Sequence, residues 1–181
     1  MRKILTLFCL IILYIGSFSL YANAAIGKWA KPQYIKTYIQ PNHPRTVMMK
    51  HAFAEWSRLT KDKIIFRYVN STQDSQLDVF FVDKISKEKS NSDRSIGLTE
   101  TKTSSTGFIK HATIWIATNA QNGKKLSDDE VYTTMLHEIG HSIGLEHSNN
   151  PKSAMYSGVN VIQEIDKSDL ATLYKIYGWR K

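Results

Sequence analysis

The sequence predicts an α+β domain, with helices packed against one mixed sheet. Two patterns and their order carry this. Stretches rich in Ile, Val, Phe and Tyr at 33–40, 63–69, 77–82 and 108–117 read as strands, with 96–101 as a short edge strand. Three further stretches, beginning near Thr46, Ser127 and Asp166, read as helices. The order strand, helix, strands, helix, irregular segment, helix is that of helices laid on a single sheet. A chain of 181 residues has room for one ordinary domain with a full core.

Each element has its own signal. Tyr34 and Tyr38 among β-branched residues make the first strand, closed by Pro41 and Pro44. Val47, Met49, Phe53, Trp56 and Leu59 recur at two- to four-residue steps along one helical face. The polar run 84–95 is a surface loop, and 104–107 is a turn before the strong strand ending at Ala117. A loop over 119–125 centres on Asn122-Gly123. Ser127 and Glu130 then form the S-x-x-E capping box that opens the second helix. The third helix presents Leu170, Leu173, Tyr174 and Tyr177 on one face, and Gly178 ends it.

The first residues stand apart from this domain. Arg2 and Lys3 precede an apolar run from Ile4 to about Leu20, followed by Ala22-Asn23-Ala24, a small-x-small cleavage site. Residues 1–24 are therefore expected to be a signal peptide and 25–181 the mature domain. The alternative is an uncleaved anchor, but Gly16, Ser17 and Ser19 dilute the end of the run. The sole cysteine, Cys9, lies inside the leader, so the mature chain is exported without a thiol and its stability rests on its core and on metal. The whole chain carries a formal charge of +8; removing Arg2 and Lys3 takes 24 basic residues to 22 against 16 acidic, about +6. The lysines are scattered, with no basic stripe or nucleic-acid-binding module, so no nucleic-acid partner is expected.

The chemistry is concentrated in His137-Glu138-Ile139-Gly140-His141-Ser142-Ile143-Gly144-Leu145-Glu146-His147. His137 and His141, four apart on the capped helix, put two imidazoles on one face, where one cation can bridge them. Glu138 sits beside the first ligand and can reach a water without itself ligating. Gly144 allows a positive φ that stops the helix and returns His147 as a third ligand. Three neutral imidazoles leave a fourth position open, the mark of a catalytic zinc site.

This segment, HEIGHSIGLEH, resembles the long zinc motif of the metzincins. Pro151, Ala154, Met155 and Tyr156 in HSNNPKSAMYSG resemble the Met-containing turn of the matrixin branch, and KWAKPQYIKTYIQ, HAFAEWSRLT, LDVFF and DLATLYKIYGW resemble other parts of a matrixin catalytic domain. The resemblance covers about 26–181. It implies a metzincin-type fold: a twisted mixed five-stranded sheet, three helices and an active-site cleft along an edge strand. It makes His137, His141 and His147 the ligands of one catalytic zinc, Glu138 the general base and acid, and Met155 a hydrophobic floor beneath the metal. Tyr156 follows Met155 directly and is not assigned to the metal. The loop from Lys84 to Gly107 contains no histidine, so a second, structural zinc is not expected; His111 is read as a packed or solvated strand residue. Calcium stays open, since Asp74, Asp78, Asp83 and Asp93 form no recognisable calcium loop.

The resulting expectation is a secreted endopeptidase, extracellular or periplasmic. It would hydrolyse peptide bonds through a zinc-activated water, with the substrate extended along the edge strand near 96–101 by β-augmentation. A monomer is expected, with a protein or peptide substrate and a protein inhibitor as its partners and no stable membrane insertion after leader cleavage. The leader runs almost directly into the first strand, so activity is expected without removal of an inhibitory prodomain. The rival is a zinc-containing domain of the same fold that captures proteins without cutting them; Glu138 discriminates, because a binder has no use for a carboxylate in the base position.

Overall fold

A computed structural model describes residues 26–86, 95–157 and 164–180. The expected leader, residues 1–24, lies outside the described residues, as do residues 87–94 of the expected surface loop. Among the described residues, six strands form one mixed sheet and three α-helices accompany it.

The strands are β1 (Lys28–Trp29), β2 (Ile35–Ile39), β3 (Phe66–Val69), β4 (Leu77–Val82), β5 (Gly97–Thr103) and β6 (Phe108–Ala117). The helices are α1 (Thr46–Leu59), α2 (Asp128–Ser142) and α3 (Lys167–Tyr177). The sheet runs β1-β6-β4-β2-β3, and all these pairs are parallel. β5 alone pairs antiparallel, against β6, with Thr99 opposite Ile114 and Gly97 opposite Ile116. The expectation of five strands is therefore corrected to six. The added strand, β1, is two residues long and has no period of its own to read; it exists because Lys28 and Trp29 pair with Phe108 and Ile109 at the start of β6.

The core is one buried cluster. Ile35, Ile39, Leu77, Val79, Phe81, Ala112, Ile114 and Ile116 come from the sheet, and Met49, Ala52, Phe53 and Trp56 from α1. α1 has no side-chain cap and no acidic residue in its first turn, so its apolar face supplies most of its stability. Each such side chain fully buried contributes roughly 1.5–3 kcal/mol. Trp56 also donates its indole N–H to Leu136 O at 3.0 Å, fixing α1 against α2. α2 has the expected capping box, with Ser127 Oγ accepting from Glu130 N and Glu130 Oε2 accepting from Ser127 N. Asp128, Asp129 and Glu130 place negative charge in its first turn, where the helix dipole favours it.

The expected apolar face of α3 is only partly sealed: Leu173 is fully buried, while Leu170 and Tyr177 pack half-buried against the core. Tyr177 joins three elements, its hydroxyl accepting from Trp29 N and donating to Ile143 O at 3.0 Å. Trp29 Nε1 donates to Ser142 O at 2.9 Å. β1 and α3 thus meet where α2 ends, just before the turn that carries His147.

Candidate metal centre and its carboxylate

α2 carries His137 and His141 one turn apart. Each imidazole is oriented by a backbone carbonyl: His137 Nδ1 lies 2.7 Å from Ala154 O, and His141 Nδ1 lies 2.8 Å from Leu145 O. A carbonyl only accepts, so both rings carry their hydrogen on Nδ1 and direct an Nε2 lone pair inward. The two Nε2 atoms are 3.0 Å apart. Two lone pairs that close repel unless a cation lies between them. Burial holds both rings neutral, lowering His137 to about 4 and His141 to about 3, with the carbonyl bonds opposing the shift and the neighbouring imidazoles adding to it. Neutral imidazole is the form that ligates.

The third histidine arrives by a turn. Leu145 N reaches back to Gly140 O and Gly144 N to His141 O, both at 3.0 Å, which satisfies carbonyls at the helix end. Gly144 has φ +106°. The chain then brings the exposed His147 round, so that one ligand atom from each histidine lies within 4.8 Å of the others. Three imidazole nitrogens converging on one point, two of them with inward lone pairs, are a donor set that fits zinc.

Gly144 tolerates no side chain, because a Cβ would lie 2.1 Å from the backbone oxygen of Gly27. Gly144→Ala is expected to destabilise the fold by roughly 1–3 kcal/mol, the usual cost of a strained backbone position, and to loosen zinc by displacing His147. Denaturant unfolding with and without zinc measures both; a variant matching the parent in each would refute the steric argument.

Beneath the histidines runs the expected Met-containing turn, with Ala154 and Met155 both buried. The Sδ of Met155 would lie 2.2 Å from a Cβ at Gly140. Gly140 is thus the place where the turn passes close under α2. The turn is held by α3. Asp169, itself buried, accepts from Ser153 Oγ, from Ala154 N at 3.1 Å and from Asp166 N at 2.9 Å. Ser153 Oγ in turn accepts from Met155 N at 2.9 Å. The Ala154 carbonyl that orients His137 is therefore fixed by a carboxylate on another helix. Asp169 was not singled out from the sequence; its signal was the Asp166-x-x-Asp169 spacing of a capping box, which the structure has.

Glu138 faces away from solvent with 6% exposure. Burial pushes its carboxyl up to about 7, opposed by a hydrogen bond from Thr99 Oγ1 to Oε2 at 2.6 Å. Thr99 stands on β5, the expected edge strand, which among the described residues pairs only with β6. Neither Thr99 nor Asp169 could be found from the local spacing around the zinc motif. His111 lies elsewhere, its Nε2 3.1 Å from Asp78 Oδ2.

Comparison with known proteins agrees with this geometry. The family model described as Matrixin matches residues 28–178, which takes in the three histidines, Glu138, Met155 and Asp169. Macrophage metalloelastase of Rattus norvegicus is 34% identical over 59 residues, a stretch covering 30% of this chain and 13% of that protein. A family model spanning most of the sequence, over a fold with a three-histidine centre on its second helix and the turn that follows, establishes the relationship: the chain belongs to the matrixin family.

Proposed function

We propose that this protein is a secreted zinc-dependent endopeptidase. The observation that carries the reading is the convergence of His137, His141 and His147 beside the buried carboxylate of Glu138. The three histidines hold the ion through ring nitrogens. Zinc, when bound, supplies Lewis acidity, making a water more acidic and polarising a carbonyl. Glu138 accepts a proton from the attacking water on a carboxylate oxygen and delivers it to the nitrogen of the leaving amine. The backbone edge of β5 offers N–H and C=O groups to an extended peptide, which aligns the scissile bond by strand addition. The leader of residues 1–24 directs export and is cut after Ala24, leaving 25–181 as the working monomer. A zinc-holding protein that captures other proteins without cutting them is the competing outcome.

The test is hydrolysis by purified 25–181 of a quenched, proteome-derived peptide library. Cleavage is expected, with one zinc per chain; a chelator should abolish it and added zinc restore it. A protein that holds zinc stoichiometrically and cuts nothing in the library overturns the proposal in favour of the binding reading.

A further inference from the structure

We propose that Thr99 is a positioning residue for Glu138, and that β5 thereby sets both the substrate's path and the place of the base. The inference rests on the reading of Glu138 as the proton carrier. It is carried by two features of β5. Thr99 and Gly97 lie opposite the buried Ile114 and Ile116 of β6, so both are on the face of β5 turned toward α2. At Thr99 the hydroxyl lies 2.6 Å from Glu138 Oε2 and 3.0 Å from the main-chain oxygen of the same residue. At Gly97 there is no room for a side chain: a Cβ would lie 2.5 Å from Glu138 Oε1, 2.7 Å from Glu138 Cγ and 2.5 Å from Thr134 Cγ2. One oxygen of the carboxyl is therefore bonded by β5 and the other packed against its backbone. β5 thus restrains a flexible side chain at both of its oxygens.

A hydroxyl suits this post because it donates a hydrogen bond and carries no charge. While Glu138 is a carboxylate, Thr99 donates to Oε2. While Glu138 holds the proton in transit on its other oxygen, Oε2 still accepts from Thr99. Both forms keep the same bond with the carboxyl unmoved, which a carbonyl in the same position, having no hydrogen to donate, could not achieve. The strand that presents its edge to the peptide is also the strand that holds the base. The distance between scissile bond and base is thus set by one direct contact, between β5 and the side chain of Glu138 on α2.

The experiment compares Thr99→Val, which keeps shape and removes the hydroxyl, with Thr99→Ser, which keeps the hydroxyl. In zinc-loaded protein, Thr99→Val is expected to lower kcat by roughly 10–100-fold, the scale on which small misplacements act, with KM, zinc content and melting temperature near those of the parent. Thr99→Ser is expected to restore most of kcat. Undiminished kcat in Thr99→Val, or Thr99→Ser as slow as Thr99→Val, overturns the proposal. Crystals of the parent and Thr99→Val give a readout independent of turnover: the carboxyl should leave its place in the variant, and an unmoved carboxyl refutes the positioning role. If the parent cuts no peptide, the proposed function fails, and the same pair of crystals still decides what Thr99 does.

Discussion

Glu138→Ala is expected to yield a protein that folds, holds zinc and scarcely turns over. The substitution leaves the contacts that orient His137 and His141 intact, since these run to Ala154 O and Leu145 O. It leaves no buried donor stranded either, because Thr99 Oγ1 is also within 3.0 Å of the main-chain oxygen of residue 138. A carboxyl whose burial disfavours ionisation is exchanged for a small cavity, so stability changes little. The loss falls on proton transfer, where a general acid–base group contributes about 10²–10⁴-fold. Steady-state hydrolysis of a quenched peptide, with metal analysis and a thermal melt on the same preparation, checks the three parts together. Near-parental turnover sinks the mechanism. Loss of zinc along with turnover would make Glu138 a structural residue.

Asp169→Ala should act in the opposite sense, on the fold first and on chemistry second. Its carboxylate accepts from two buried donors, Ser153 Oγ and Ala154 N, and from Asp166 N at the start of α3. A buried donor left unmet costs about 1–3 kcal/mol, so a combined loss of roughly 3–4 kcal/mol is expected. The damage reaches the metal through a defined route. Without Asp169 the Ser153–Met155 turn loosens, the Ala154 carbonyl drifts, and His137 loses the partner that holds its ring. Zinc affinity should fall although no ligand has changed. Denaturant unfolding with and without zinc separates the two losses. A variant that keeps both stability and zinc affinity would show that the turn stands without α3.

These two residues mark how much of the molecule was legible in its sequence. Glu138 could be found because its neighbours in space are its neighbours in the chain: a helix with a four-residue histidine spacing and a glycine stop is a local object. The strands with apolar alternation were legible for the same reason, and β6 runs over 108–117 as expected. β5 extends to Thr103, past its expected end at 101, because Thr-Glu-Thr-Lys-Thr has no apolar pattern and is made a strand by pairing with β6. Asp169 and Thr99 were not assigned roles because they act across 15 and 39 residues of chain, where no period or fixed spacing connects donor to acceptor. Gly140 sits inside the zinc motif, yet its purpose, a close approach by Met155, belongs to a turn that follows later. Local physics wrote the helix and its ligands; only the folded sheet and α3 could supply what holds them still.

That arrangement also dictates an order of assembly. A chain delivered amino end first releases the residues of β1 to β4 before any residue of the centre has emerged, since the earliest, Gly97 and Thr99, lie on β5, and β1 must still wait for β6 to pair with. His137, His141 and His147 follow together, but the carbonyl that orients His137 is secured only when Asp169 arrives on α3. A nascent chain thus carries its ligands for some time before it has a rigid centre. The centre is the last part finished, after every strand of the sheet has emerged.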